Sequence, residues 1–99
     1  MFAVIFRATL VAPDQEYLDS AQRLRELAMD RYGCLDFISL SEGEHEIAIS
    51  YWESESAIAA WREDPEHRRA QQAGRERWYS DYTVEVVEVR RAYRHKRDG

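Results

Sequence analysis

Glu46-Ile-Ala-Ile-Ser-Tyr-Trp-Glu53 runs directly into Ser54-Glu-Ser-Ala-Ile-Ala-Ala-Trp61, and the change of period between the two halves decides the fold. In the first half Ile47, Ile49 and Tyr51 alternate with Ala48 and Trp52, the two-residue repeat of a strand. In the second, Ser54 is suited to cap a helix on which Ala57, Ile58 and Trp61 recur at helical spacing. Asp64-Pro65 then supplies a second cap, with proline at a first helical position where its missing N–H costs nothing, and this piece runs to about Arg77. Upstream, Phe2–Leu10 and Leu35–Ser41 read as strands flanking a helix over Gln15–Tyr32, capped by Asp14 and stopped at Gly33. Ser41-Glu-Gly-Glu-His45 is a hairpin loop. Tyr82–Tyr93 is the last strand, with a bulge or strong twist expected between Val86 and Val87, where the apolar positions change face.

The order is β-α-β-β-α-β, an α+β ferredoxin-like arrangement with both helical regions on one face of a four-stranded antiparallel sheet. The other face needs a cover. Phe2, Val4, Phe6, Ala8 and Leu10 form one row of the first strand, yet Ala3 and Ile5 lie opposite; Ile38 and Leu40 likewise oppose Leu35 and Phe37. Two helices cover one face only, and an apolar face of that extent exceeds what a monomer usually exposes. A twofold homodimer packed sheet on sheet is the expected remedy. Residues 1–93 form the expected domain, and 94–99 a basic tail.

Charge and cysteine content narrow the setting. The net charge of −5 is uneven: residues 90–99 carry five basic groups and one acidic, so the first 89 sum to −9. An acidic body argues against nucleic-acid binding. Cys34 is the only cysteine, which forbids an intrachain disulfide and favours a reducing, cytoplasmic home. The apolar N-terminus lacks a basic leader region and carries Arg7, so it reads as a strand rather than a signal sequence, and no run is long enough to span a membrane.

No phosphate-binding glycine loop, metal-spaced Cys/His cluster or nucleophile elbow is present, so any chemistry must come from a pocket. In the second helical region His67, Ala70, Gln71, Gly74 and Trp78 fall at i, i+3, i+4, i+7 and i+11 and share a face, while Arg68, Arg69, Arg75, Glu76 and Arg77 occupy the rest. Ala70 and Gly74 are too small to fill the space beneath them, and a cavity for a ligand is the expected result. His67, near a helix start, is disfavoured as a cation, and a neutral imidazole suits acid–base work or hydrogen-bond donation. The competing reading is plain packing: Trp61 and Trp78 as core aromatics, His67 on the surface, and Arg7 paired with a strand carboxylate such as Glu53 or Glu85.

Ile49-Ser-Tyr-Trp-Glu53 leading into the helix that ends at Trp61, then Asp64-Pro-Glu-His67 through Arg75-Glu-Arg-Trp-Tyr79, resembles the antibiotic biosynthesis monooxygenase family over nearly the whole chain. The resemblance implies a dimeric α+β barrel with a pocket between sheet and helices in each subunit. It implies an oxidoreductase that needs no cofactor, flavin or metal: a planar, electron-rich aromatic or quinone-like substrate is held as its anion, which reduces O₂ directly. Trp61 matches the family's helical Trp. His67 is the other catalytic candidate, with Arg7, Gln71, Gly74 and Trp78 as substrate-binding candidates. Some monooxygenases of this type place an Asn one turn before that Trp, where this chain has Ala57. The haem-degrading branch carries an axial His about ten residues after it, where this chain has Gln71. The alternative is a non-catalytic or stress-related dimer that holds a small hydrophobic molecule in the same pocket.

Overall fold

The computed structural model describes residues 1–98. The elements are β1 (Phe2–Leu10), α1 (Gln15–Asp30), β2 (Asp36–Glu42), β3 (His45–Trp52), α2 (Glu55–Glu63), α3 (Pro65–Ala73), a π-helical turn (Gly74–Trp78) and β4 (Tyr79–Glu88). The sheet order is β2-β3-β1-β4 with every neighbouring pair antiparallel, the ferredoxin-like arrangement.

Local chemistry sets the helix ends. The Asp14 carboxylate accepts the Tyr17 N–H at 2.8 Å, and the Ser54 hydroxyl accepts that of Ala57 at 3.2 Å. Asp64 accepts the Glu66 N–H at 2.8 Å and is itself bound at 2.6 Å by the Tyr32 hydroxyl, which ties the exit of α1 to the start of α3. α1 ends at Asp30, two residues before the expected Tyr32, because the Arg31 and Tyr32 N–H groups both turn back to the Leu27 carbonyl. Gly33, at φ +76°, then redirects the chain.

The register assigns the two faces. Val4, Phe6 and Ala8 of β1 lie beside Ser50, Ala48 and Glu46 of β3 and Val86, Val84 and Tyr82 of β4, all on the helix side. There Val4, Leu27, Ala28, Cys34, Trp52, Ile58 and Trp61 form the main core, and Leu10, Tyr17 and Trp78 a second one. The opposite face carries Ile5, Ile38, Ile47, Ile49 and Val87, with no helix over it; Leu40 there is 68% exposed and Ile38 48%.

Two expectations for the last strand are corrected. β4 begins at Tyr79 and ends at Glu88, rather than spanning Tyr82–Tyr93. Its pairing with β1 is regular through Val86 and Val87, which point to opposite faces by ordinary alternation; the irregularity lies instead between Thr9 and Leu10, opposite Asp81 and Tyr79. Past β4 the Val89 N–H donates to the Met1 carbonyl at 2.9 Å, and residues 89–98 carry no regular structure. Gly99, the end of the expected basic tail, lies outside the described residues. Among those described, no helix is long and apolar enough to cross a membrane.

Candidate active site

A cavity of about 290 Å³ lies between the helix side of the sheet and the three helices. Its floor includes Val4, Phe6, Ala48 and Val84, and its walls come from α1 (Tyr17, Ala21, Leu24), α2 (Trp61), α3 (His67, Ala70, Gln71) and the π-helical turn (Trp78). Ala70 and Ala21 leave the space, as small residues do when their larger neighbours meet around them. A cavity of about 150 Å³ holds one benzene ring, so this one admits a molecule of about two rings.

At one end Trp61 is fixed from several sides. Its Nε1–H donates to the Leu24 carbonyl at 3.0 Å, and its ring meets Trp52 at 5.2 Å and Phe37 at 6.1 Å between centroids. The His67 ring stands nearly perpendicular to it, at 85° and 4.4 Å. The Gln71 side-chain nitrogen contacts both the Arg62 carbonyl, at 3.1 Å, and His67 Nδ1, at 2.9 Å. A carbonyl only accepts, so the Gln71 nitrogen must be the NH₂ and must donate to both; its amide cannot be turned without facing oxygen to oxygen. His67 Nδ1 is therefore an acceptor without a proton, and the neutral ring carries its proton on Nε2. Burial pushes the His67 pKa down, and the nearby Arg62 guanidinium adds to that, although a hydrogen bond to its own backbone and the Asp64 carboxylate oppose it. What His67 offers is a neutral N–H donor.

The other end is phenolic. Tyr79 meets Phe6 at 5.4 Å, Tyr82 at 5.8 Å and Tyr17 at 6.0 Å, and Tyr17 meets Trp78 at 5.4 Å. Burial raises the Tyr17 and Tyr79 hydroxyls above the usual phenol range, so both hold their protons. Tyr17, Tyr79, Tyr82, Glu46 and Arg25 also line the cavity and escaped the sequence reading. Alternation could have found Glu46, which shares its face with Ala48 and Trp52.

Trp61, His67, Gln71 and Trp78 thus meet around one space, but two candidates do not. Arg7 is exposed on the opposite face of the sheet, between Ile47 and Thr83, because odd-numbered positions of β1 point away from the helices. Gly74 is buried under the Tyr79 ring, which lines the cavity in its place. A second depression is larger at about 390 Å³ but is bordered by the charged side chains of Glu55, Arg62, Glu63 and Arg68 and lined by no aromatic ring. The aromatic-lined cavity is the better ligand site.

Residues 1–73 match the family model for antibiotic biosynthesis monooxygenase. The chain is 40% identical over 91 residues to the uncharacterised protein YqjZ of Bacillus subtilis, covering 91% of this chain and 80% of that protein. It is 35% identical over 94 residues to the jasmonate monooxygenase of Pyricularia oryzae, covering 90% of this chain but only 43% of that longer protein. Among solved structures, a variant of SnoaB, a cofactor-independent oxygenase from Streptomyces nogalater, superposes with a TM-score of 0.76 over 92% of this chain and 94% of that one. At 16% identity, that likeness speaks for the fold. With residues 1–73, most of its length, matched by the family model, the chain belongs to the antibiotic biosynthesis monooxygenase family.

Proposed function

We propose that the protein is a cofactor-independent monooxygenase acting on a quinol-like or similarly acidic molecule of one or two rings. The observation that carries the reading is His67, held by Gln71 as a neutral Nε2–H donor beside Trp61 in an aromatic-lined cavity. A substrate that loses a proton becomes an anion, and a hydrogen-bond donor preset in a low-dielectric site stabilises that charge more than water-exposed groups do. The anion reduces O₂; one ring C–H becomes C–OH as the quinol is oxidised to the quinone, and the second oxygen atom leaves as water, which balances without a further reductant. Trp61 and Trp78 hold the ring plane, and Gln71 contributes by orienting His67. The monooxygenase name of the Pyricularia relative supports the reaction class.

The same reading takes the working unit to be a homodimer. Leu40, Ile38, Ile47 and Val87 are 68%, 48%, 42% and 37% exposed on the uncovered sheet face. A second copy packed there would bury them in an interface of about 1,200–2,000 Å².

Oxygen uptake tests the reaction. Protein freed of flavin and metal is given small hydroquinones, dihydroxynaphthalenes and jasmonate in an oxygen electrode, and catalytic uptake is expected with at least one ring compound. Ligand-induced thermal stabilisation without uptake across the panel would replace the monooxygenase by a non-catalytic binding protein.

A further inference from the structure

The monooxygenase reading requires a group that takes the substrate's proton, and His67 is poorly placed to be it. Its Nδ1 lone pair is engaged by Gln71 and its Nε2 already carries hydrogen. Tyr17 and Tyr79 keep their protons because burial opposes the phenolate. Arg25 and Arg62 are permanent cations. Among the described residues that line the cavity, Glu46 is the only carboxylate.

Its placement suits the role. Glu46 stands on the helix side of β3, directly opposite Ser41 of β2 and Ala8 of β1. The Ser41 hydroxyl donates to Oε2 at the edge of the hairpin, and the side chain lines the cavity. Glu46 lies near enough to Tyr17 and Tyr79 that its negative charge contributes to raising both. The charged and titratable groups that share the cavity are Tyr17 and Arg25 on α1, Tyr79 and Tyr82 on β4, Arg62 on α2 and His67 on α3. On β3, Glu46 is six residues from Trp52, whose ring meets Trp61. The acceptor and the His67 donor reach the same cavity from different elements, β3 and α3.

We propose that Glu46 is the proton acceptor of the cavity and that the substrate carries an oxygen function at each end. The O–H bond of the substrate hydroxyl nearer Glu46 breaks, a new O–H bond forms on the carboxylate, and the electron pair stays on the substrate, where conjugation spreads it toward the oxygen held by His67 and Arg62. The inference rests on the monooxygenase reading for its catalytic meaning. The placement of the carboxylate against a ligand can be tested without turnover.

The test uses 4-nitrophenol, whose ionisation when bound is read from phenolate absorbance, on the full-length protein and on Glu46→Gln and His67→Ala. A carboxylate facing the hydroxyl favours the neutral phenol, so Glu46→Gln is expected to lower the bound phenol's pKa by about one unit. His67→Ala removes a donor to the far end of the anion and is expected to shift it the opposite way. With a substrate that supports oxygen uptake, Glu46→Gln is expected to lower kcat about 100-fold, with KM within about threefold. An unchanged bound-phenol titration in Glu46→Gln overturns the proposal, as does a shifted titration with undiminished kcat. A wild-type protein that binds and titrates the phenol as expected but oxidises nothing removes the monooxygenase reading and leaves the assignment of Glu46 as the ligand's acceptor standing. Failure of 4-nitrophenol to bind contradicts both. Should Glu46→Gln unfold, Glu46→Asp, which draws the carboxylate back by one methylene, is expected to lower kcat with little change in the titration's direction.

Discussion

Gly74→Ala sets two effects of opposite sign against each other. Gly74 has ordinary right-handed helical angles, φ −60° and ψ −48°, so nothing in its backbone demands glycine. Alanine there should gain up to about 1 kcal/mol of helix propensity. A Cβ at this position, however, would lie 2.6 Å from Cε2 and 2.8 Å from Cδ2 of the Tyr79 ring. Normal carbon contacts are about 3.5–4.0 Å, so the ring must move by roughly 1 Å. It is hemmed by Phe6, Tyr17 and Tyr82, and its open side is the cavity. Overpacking of this kind costs about 1–3 kcal/mol. The net expectation is a loss of roughly 1 kcal/mol, or about 4–8 °C in Tm for a chain of this size. Thermal unfolding followed by circular dichroism reads it directly. The Tyr79→Ala background supplies the decisive arm: with the ring gone, Gly74→Ala should become neutral or stabilising. A Gly74→Ala protein melting at or above the wild type would refute the steric account, as would a penalty that persists beside Tyr79→Ala.

Other outcomes follow from the same contacts. His67 has a lowered pKa in the folded state, so below its ordinary value of 6.5 the unfolded chain binds the proton more readily. Its contribution to stability is therefore present above that pH and lost as the pH falls toward the folded pKa; a His67→Gln variant should show a flatter stability profile in denaturant titrations over that window. Trp61→Ala removes the Leu24 hydrogen bond and the contacts with Trp52 and Phe37; a loss of about 3–5 kcal/mol is expected in urea unfolding, and a loss below 1 kcal/mol would mean the site collapses freely. Leu40→Asp places a charge on the uncovered sheet face, and sedimentation should show a halved mass; an unchanged mass would remove that face from the dimer interface.

Much of the fold was legible because local and long-range signals agreed. The caps Asp14, Ser54 and Asp64 each bind the backbone N–H their positions predict. The two-residue alternation of β1 and β3 assigned their faces, and the same rule, applied to Arg7, would have excluded it from the cavity. The start of β4 was hidden because Tyr79-Ser80-Asp81 has turn-like composition and joins the sheet through an irregular pairing with β1. Its end was overestimated because Val89 and Tyr93 look strand-forming, whereas the ladder closes at Phe2 and Glu88. Gly74 was placed on the cavity face because a helical wheel does not show that the Tyr79 ring, from the following strand, folds back over it. The phenolic end of the cavity was missed for a different reason. Tyr17, Tyr79, Tyr82 and Glu46 come from three elements far apart in sequence, and only the sheet register brings them together.

The central claim is that His67 is a neutral Nε2–H donor whose Nδ1 is engaged by Gln71. Imidazole ¹⁵N chemical shifts of His67 at neutral pH, assigned by comparison with His67→Gln and repeated in Gln71→Leu, measure this directly. The account predicts a protonated Nε2 and an acceptor-type Nδ1 in the wild type, with the two tautomers mixing once Gln71 is replaced. A proton on Nδ1, or an imidazolium at pH 7, would contradict it.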